Sequence, residues 1–244
     1  MFVYDILGTE KNPVYQTLAA ENLDRQYSFL KSLVETSLAL NRSMLSTEVI
    51  LALNYHAISC LHAYAGQLRP CPVTVGKRTP CDHYVVPGLM SMFVDEVNRA
   101  WDQTDPLVLA AYVLWRINYV HPFVNGNGRT ARAACLYVLA MKLGGWPKGE
   151  PNLAELIRLN RPAYVAALQH AHATFEAGKL DLTLLHALLV QLLNQQAANA
   201  AASASGKAAQ PATASPTTTP LPGAVASIPS TGAKPDGGGQ PSQE

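Results

Sequence analysis

The densest grouping of residues able to do chemistry lies in one glycine-containing stretch of the chain. His121 is followed, within the next eleven positions, by a Gly-Asn-Gly run at 126–128 and by the two arginines Arg129 and Arg132. A histidine is the usual side chain that accepts a proton near neutral pH. Glycines at a helix start let backbone amides approach an anion, and the positive end of the helix dipole favours the same ligand. This stretch therefore predicts a base beside a phosphate-binding turn.

The two arginines add positive charge to that turn. Arg129 and Arg132 lie three positions apart, so on a helix they are neighbours in the first turn. Each can donate paired N–H groups to phosphate oxygens. Taken singly, these features have ordinary explanations, because glycines form turns and arginines cover solvated faces. Their combination favours a base, an anion cradle and two cationic clamps within one short segment.

The segment as a whole resembles the signature of Fic proteins, H-x-F-x-[DE]-G-N-G-R-x-x-R; here it reads HPFVNGNGRTAR. Most Fic proteins transfer AMP from ATP to a hydroxyl side chain of a target protein. The likeness extends more weakly over about residues 13–195, through a flap of the form G-x-x-R-x-x-x-V-x-V-G at 66–76 and Tyr164 in a later helix. The resemblance implies ATP and Mg²⁺ as cofactors. It implies as partner a target protein with a Tyr, Thr or Ser hydroxyl.

The resemblance also assigns roles to individual residues. His121 is implied to deprotonate the target hydroxyl for attack on the α-phosphorus, and Arg132 to bind the γ-phosphate. Phe123 is implied to pack inward and anchor the loop. Such a transfer depends mainly on positioning and charge neutralisation. The implied nucleotide-binding residues are Gly126, Asn127, Gly128, Arg129, Arg132 and Tyr164.

Asn125 departs from the signature, which has Asp or Glu there as the ligand of Mg²⁺. A neutral amide oxygen can coordinate the cation but lacks the charge of a carboxylate. Three outcomes stay open: a slow adenylyltransferase, an enzyme that transfers a different phosphate-containing group, and a nucleotide-binding module without turnover. Because Gly126 follows Asn125, deamidation to aspartate is a further hypothesis.

A candidate inhibitory segment lies near the N-terminus. The run TLAAEN at 17–22 fits the family pattern [ST]-x-x-x-E-[GN]. By resemblance, Glu21 would pair with Arg132 and exclude the γ-phosphate. The alternative is an ordinary glutamate near the start of a helix. The inhibitory interpretation predicts that Glu21→Gly increases nucleotide binding or auto-modification.

The elements that must position these residues are helices. Apolar residues recur at helical spacing over most of the chain, and the predicted fold is all-α: a Fic-type helical bundle with a small β-hairpin flap, followed by a disordered tail. Asn22 or Asp24 is the expected cap of the first long helix. The predicted helices span about 22–40, 46–64, 87–101, 105–119, 129–143, 151–176 and 181–195.

The flap is predicted between residues 67 and 84, where Pro, Gly and the alternating Val73 and Val75 replace helical spacing. An extended hairpin beside the site can register a target segment through main-chain hydrogen bonds. Leu68, Val73 and Val75 are the candidate target-binding residues. A plain surface loop is the alternative.

Three regions are expected along the chain. They are an N-terminal helical region at 1–45, a Fic core at 46–195 and a tail at 196–244. The tail is rich in Ala, Pro, Ser, Thr and Gly. It has too few large apolar residues to offset the entropy cost of ordering. It is therefore predicted to be disordered.

Composition argues against several classes of protein. Hydrophobic residues make up 48% of the 244 residues, charged residues only 14%, and the formal net charge is +1. This balance gives no basic surface for nucleic acid or anionic membrane. The first residues lack a signal-peptide pattern, so a cytoplasmic protein is expected, and the tail composition suggests a bacterial one. Self-association is common in Fic proteins, which leaves a homodimer open.

The four cysteines form no C-x-x-C pair, so neither a zinc ribbon nor a redox motif is indicated. Cys71, Cys81 and His83 are close enough in sequence to meet one metal ion. Without ligand spacing typical of zinc, incidental thiols are the favoured interpretation.

Overall fold

Helices form nearly all of the regular structure in the computed structural model, which describes residues 2–42, 44–76 and 78–208. Within these residues no β-strand is present, so the predicted all-α class is confirmed. A short 3₁₀ turn, His83–Val85, precedes the fourth helix. The helices are α1 Val3–Leu7, α2 Pro13–Ala39, α3 Thr47–Ile58, α4 Val86–Ala100, α5 Pro106–Val120, α6 Asn127–Lys142, α7 Leu153–Leu159, α8 Arg161–Glu176 and α9 Thr183–Ala208.

The helices α5 and α6 form the centre of the bundle, with α2 and α3 packed against α6 and with α8 and α9 packed against α5. Both central helices are buried around most of their circumference, since α5 is rich in large apolar residues and α6 in alanine. Asp105 caps α5 by accepting hydrogen bonds from the amides of Leu107 (2.8 Å) and Val108 (3.2 Å), and Pro106 occupies the first turn. The connection between the two helices is the motif loop, which a rigid core therefore positions.

Helix α2 begins nine or more residues earlier than the sequence predicts. Asn12 is its cap, with Oδ1 accepting from the Val14 amide at 2.9 Å, and Pro13 follows at the first helical position. The expected caps, Asn22 and Asp24, were wrong, since both lie inside the helix. Asn22 is fully buried and donates from Nδ2 to the carbonyl of Ser59 at 2.8 Å.

Two other helices differ from their predicted bounds. Ser46 caps α3 as expected, accepting from the Val49 amide at 3.2 Å, but α3 ends at Ile58. The helix predicted over 151–176 is two helices, with a break at Asn160. Pro162 lacks an amide hydrogen and its ring clashes with the preceding turn, so α7 cannot continue through it.

The predicted β-hairpin flap is not formed among the described residues. Between 67 and 84, the chain makes one isolated antiparallel bridge, with N–O distances of 2.9 and 3.0 Å between Val75 and Arg78. Pro70, Pro72 and Pro80 lie on both sides of the bridge and cannot donate to a β-ladder. Of the candidate target-binding residues, Leu68 and Val73 are half-buried and Val75 is exposed.

Helix α9 extends well past the predicted boundary at 195. Its alanine-rich end has high helix propensity, and the helix runs to Ala208. Gln196 is buried and donates to the carbonyls of Pro147 (2.9 Å) and Gly149 (3.0 Å), which fixes α9 against the loop before α7. The helix therefore continues past the predicted start of the tail, and the rest of that prediction, at 209–244, lies outside the described residues.

A membrane-spanning helix would need about 20 consecutive apolar residues. None of the helices in the described ranges is both long enough and apolar enough to cross a bilayer.

Candidate active site

His121 is the residue that ends α5. Its backbone adopts a left-handed conformation, with φ 53° and ψ 60°, and its amide donates to the carbonyl of Ile117 at 2.9 Å. This conformation is uncommon for a residue other than glycine and persists only where the surroundings enforce it. The imidazole is thus placed at the carboxyl end of α5, directly before the loop.

The surroundings of His121 keep its side chain neutral. Burial lowers the pKa of His121 to about 4; Arg69 and Arg78 act in the same direction, while the backbone of Asn118 acts in the opposite one. The Nδ1 atom is buried, and none of the described residues meets it in hydrogen-bonding geometry. At pH 7 the imidazole is therefore unprotonated, which is the state that a general base requires.

The loop after His121 is closed by its own side chains. Asn127 accepts from the amide of Phe123 through Oδ1 (2.9 Å) and donates to the carbonyl of Phe123 through Nδ2 (2.8 Å). Phe123 itself is fully buried, as the sequence predicted. The side chain of Asn127 thus braces the loop, whereas its backbone amide remains at the start of α6, where the first amides lack intrahelical acceptors.

Gly126 allows that closure. It has φ 78°, and a Cβ added there would lie 2.8 Å from Cγ2 of Ile58 and 3.0 Å from Nδ2 of Asn54. No side chain fits in that space, and few adopt that conformation. Gly128, two residues on, lies directly under Arg132, because a Cβ there would meet the Arg132 guanidinium at 3.3 Å.

Asn54, on α3, joins the loop to the segment that precedes the bridge. Its Nδ2 donates to the carbonyl of Asn125 (3.0 Å) and to Oγ1 of Thr130 (3.2 Å), and its Oδ1 accepts from the amide of Gly66 (3.0 Å). The side chain is fully buried. Asn54 therefore connects α3 with the loop, with α6 and with the segment that begins at Gly66.

Arg69 holds the other end of the loop. It is 2% exposed, donates from Nε to the carbonyl of His121 at 2.8 Å, and also bonds the carbonyls of Cys71 and Cys81. Its amide donates to the carbonyl of Pro122 at 2.8 Å. The guanidinium thus ties the 69–81 segment to the residue predicted to be the base.

Two N–H groups of Arg129 bind oxygen atoms of the protein itself. Its guanidinium donates to the carbonyl of Ala57 (2.7 Å) and to Oδ1 of Asn125 (3.0 Å). Arg129 therefore helps to position the loop, and its contact with a phosphate stays a prediction.

Arg132 is placed differently. Its Nε is buried without a hydrogen-bond partner among the described residues, and buried polar atoms normally have one. The side chain lines a cavity of about 500 Å³ between α2, α6 and α7, together with Arg129 and Arg158. This volume falls within the usual range for small-molecule sites. His121 is not among the residues that line the cavity.

The cavity also contains a carboxylate that the sequence did not indicate. Glu10, in the turn between α1 and α2, accepts a hydrogen bond on Oε1 from Nδ2 of Asn125 at 2.6 Å. The same oxygen lies 3.5 Å from Nε2 of His62, which in turn contacts the hydroxyl of Tyr15 at 2.9 Å. Burial lowers the pKa of His62, while Glu10 raises it.

The Glu21–Arg132 pair expected from the sequence is not formed. Glu21 is exposed, and its carboxylate lies 3.4 Å from the guanidinium of Arg25, one helical turn away. The face of α2 that lines the cavity carries Gln16, Ala19, Ala20 and Leu23 instead. Glu21 therefore lies on a different face of α2 from the residues that line the cavity.

Tyr164 is a core residue. It is 5% exposed, its hydroxyl accepts from Nδ2 of Asn118 at 2.9 Å, and burial raises its pKa to about 12. It lines neither the cavity beside Arg132 nor a second cavity, of about 750 Å³, formed by residues of α5, α8, α9 and the connection between α8 and α9. A nucleotide contact for Tyr164 stays a prediction.

In the described part of the chain, no group of three His, Cys, Asp or Glu residues is arranged to hold a metal ion. Cys81 instead lies beside Arg69 and the carbonyl of Val120. The interpretation of Cys71, Cys81 and His83 as ordinary side chains stays a prediction.

Sequence reasoning missed three residues that organise the site, Glu10, Asn54 and Arg69. Arg69 was visible as the arginine of the flap pattern, although no role was assigned to it. Asn54 and Glu10 carried no local signal, because they contact position 125 across 71 and 115 residues.

Part of the chain matches a known protein family. Residues 44–139 match the model of the Fic/DOC family. Two relatives named protein adenylyltransferase fic-1 are similar in sequence: one from Caenorhabditis briggsae, 42% identical over 85 residues, and one from Caenorhabditis elegans, 39% identical over 84. Each match covers 34% of this chain, which spans only 16% of the relative's length.

Solved structures resemble a larger part of the chain. A fragment of Fic-1 from Caenorhabditis elegans has a TM-score of 0.63 and 22% identity, covering 83% of this chain and 55% of that one. A Fic domain containing signaling protein from Bacteroides thetaiotaomicron has a TM-score of 0.60 and 19% identity, covering 82% and 79%. At these identities, the likeness shows the fold.

Proposed function

The chain carries a Fic/DOC family domain at residues 44–139, and from that premise we propose that it is a protein adenylyltransferase, which transfers AMP from ATP to a hydroxyl side chain of a target protein. The observation that carries the proposal is one short loop that joins a neutral histidine, at the end of α5, to the amides and arginines that open α6. This pairing of a base with an anion cradle suits nucleotidyl transfer. The sequence relatives named protein adenylyltransferase support the same class.

In the proposed reaction, His121 takes the proton of the target hydroxyl. The hydroxyl oxygen bonds to the α-phosphorus of ATP, the bond from that phosphorus to the bridging oxygen breaks, and pyrophosphate leaves. AMP remains attached to the target through a phosphodiester. The first amides of α6 and the guanidinium of Arg129 would hold the phosphates, and Arg132 would bind the γ-phosphate.

Asn125 occupies the position where the family signature has a carboxylate for Mg²⁺. Its Oδ1 is an oxygen of the type that Mg²⁺ accepts, although it also receives a hydrogen bond from Arg129. A bound Mg²⁺ would neutralise charge on the phosphates and leaving group. The donor atoms at this position are therefore compatible with the cation, with less charge than the signature provides.

A nucleotide-binding module without turnover is the second candidate function. The hydrogen bond between Asn125 Oδ1 and Arg129 favours it, because that bond competes with coordination of a cation. Transfer of a different phosphate-containing group is a third reaction compatible with the same phosphate site.

The three candidates differ in which label reaches protein. The purified chain is incubated with Mg²⁺ and ATP labelled at either the α- or the γ-phosphate, as wild type, His121→Ala and Asn125→Asp. Adenylyl transfer gives α-label on protein that His121→Ala abolishes. Transfer of γ-label indicates phosphoryl transfer, whereas ATP binding without either label on protein in wild type and Asn125→Asp supports the binding module.

A further inference from the structure

Glu10 places a carboxylate beside position 125, where this chain has Asn instead of the Asp or Glu of the family signature. The residue lies in the turn before α2, and its Oε1 accepts from Nδ2 of Asn125 at 2.6 Å. Its side chain is 48% exposed and lines the cavity that contains Arg129 and Arg132. A carboxylate oxygen thus lies next to the side chain of position 125 while remaining accessible from the cavity.

No ion pair neutralises this carboxylate through an arginine or lysine of the described residues. The ionisable partner within 4 Å is His62, at 3.5 Å. Arg129 directs its donors to Ala57 and Asn125 instead. Glu10 therefore shares the cavity with Arg129, Arg132 and Arg158 but forms an ion pair with none of them, so its oxygens remain available to a cation that arrives with the phosphates.

We propose that Glu10 supplies the carboxylate ligand for the Mg²⁺ that accompanies the nucleotide, and that Asn125 orients it; the inference rests on the proposed function. Mg²⁺ is commonly held by one or two carboxylates together with substrate phosphates, so a single glutamate beside the phosphate cradle meets that requirement. The amide of Asn125 donates to Glu10, whereas an aspartate at 125 would repel it. The charge that Asn125 lacks at this position of the motif is thus supplied by Glu10, which lies elsewhere in the chain.

The arrangement differs from that of an inhibitory carboxylate. A carboxylate that excludes phosphate would pair with the arginine meant for the phosphate. Glu10 pairs with neither Arg129 nor Arg132 within 4 Å, and the Nε of Arg132 has no partner among the described residues. Glu10 therefore adds charge beside the arginines without occupying their donors.

The inference is tested with Mn²⁺ as the probe ion, since its free form is counted by electron paramagnetic resonance. The full chain is titrated with Mn²⁺ in the presence of ATP, as wild type, Glu10→Gln and Glu35→Gln. Glu35 is an exposed glutamate on α2, outside the residues that line the cavity, and serves as the matched control. Glu10→Gln is expected to weaken Mn²⁺ binding by roughly tenfold or more, whereas Glu35→Gln leaves it unchanged. In the double variant Glu10→Gln/Asn125→Asp, binding is expected to recover.

Two results would overturn the inference. One is Mn²⁺ affinity unchanged by Glu10→Gln, and the other is ATP affinity in the presence of Mg²⁺ that rises on Glu10→Gln, as an inhibitory carboxylate requires. If the ion binds through Glu10 but no α-label reaches protein, the proposed metal site is supported and the proposed adenylyl transfer is contradicted. If the wild type binds no ATP, the proposed function and the inference fall together.

Discussion

The Nε of Arg69 donates to the carbonyl of His121 at 2.8 Å, across 52 residues of sequence. His121 has the left-handed conformation that redirects the chain from α5 into the loop, and its carbonyl therefore points away from the helix. Arg69 satisfies that carbonyl and two others while being almost completely buried. Placement of the imidazole thus depends on a side chain outside the motif.

Arg69→Met should damage both the fold and the reaction. The substitution leaves buried carbonyls without a donor, so we expect the free energy of unfolding to fall by about 3 kcal/mol. Displacement of His121 is expected to reduce α-label transfer by roughly a hundredfold under conditions where the variant is still folded. Urea unfolding and label transfer measure the two effects. Arg25→Met, at an exposed site on α2, is the control and should change stability by less than about 0.5 kcal/mol.

The pH dependence of stability should report a buried histidine. His172 accepts a hydrogen bond on Nδ1 from Nε1 of Trp115 at 3.1 Å, and burial lowers its pKa to about 4. Because the unfolded side chain titrates near pH 6.5, the unfolded state binds protons first as the pH falls. The stability contributed by neutral His172 is therefore complete above about pH 6.5 and is lost as the pH falls towards 4.

For this histidine we expect a loss of about 1 to 2 kcal/mol between pH 7 and pH 5, measured by urea unfolding at each pH. In His172→Asn, the amide oxygen can still accept from Trp115 but does not titrate, so the slope with pH should be shallower. His83→Asn, in the turn before α4, serves as the control. Equal slopes for wild type and His172→Asn would contradict the prediction.

The pH dependence of the reaction should report His121. Its pKa of about 4 lies well below that of an ordinary histidine, so the base stays neutral as the pH falls below 6.5. We expect the rate of α-label transfer to be nearly constant from pH 8 to about pH 5.5 and to fall only in more acidic solution. Circular dichroism at each pH establishes that the protein is folded. If the rate of α-label transfer falls to half near pH 6.5, His121 is not buried as described.

Two glycines should respond to alanine with opposite signs. Gly126→Ala forces a left-handed backbone on alanine and drives Cβ against Ile58, so we expect a loss of about 2 to 4 kcal/mol. Gly88 is exposed on α4 and has open space around it. Gly88→Ala is therefore expected to stabilise the protein by about 0.5 to 1 kcal/mol. Thermal unfolding of both variants tests the pair, and equal effects would contradict the loop geometry.

The sequence predicted those parts of the fold that local chemistry determines. Ser46, Asp105 and Pro106 mark helix starts through capping geometry, and the structure begins helices beside each of them. The sequence likewise predicted the motif loop, because Gly126 and Asn127 belong to a short contiguous motif. Such features are local, so a single sequence displays them.

The features that the sequence did not predict depend on tertiary contacts. The buried face of α2 includes Asn22 and Gln26, which bond the carbonyls of Ser59 (2.8 Å) and Leu53 (2.7 Å). The pair of Glu21 with Arg132 was expected from a short sequence pattern, which does not determine the face of α2 that meets α6, and Glu21 lies beside Arg25 instead. The contact between Glu10 and Asn125 joins residues 115 positions apart, so no spacing rule could indicate it.

Arg132 is expected to distinguish ATP from ADP. Its buried Nε has no partner among the described residues, and its side chain faces the cavity, so a phosphate oxygen would satisfy it. A charge-assisted hydrogen bond of this kind contributes about 1.5 to 3 kcal/mol. Arg132→Ala should therefore weaken ATP binding by roughly tenfold to a hundredfold and ADP binding much less, if the γ-phosphate is what it contacts. Arg158→Ala removes the same charge from the same cavity, but Arg158 is already paired with Glu155, and this control should affect both nucleotides slightly and equally. Isothermal titration with each nucleotide makes the comparison; equal losses for ATP and ADP in Arg132→Ala would place its contact elsewhere on the nucleotide.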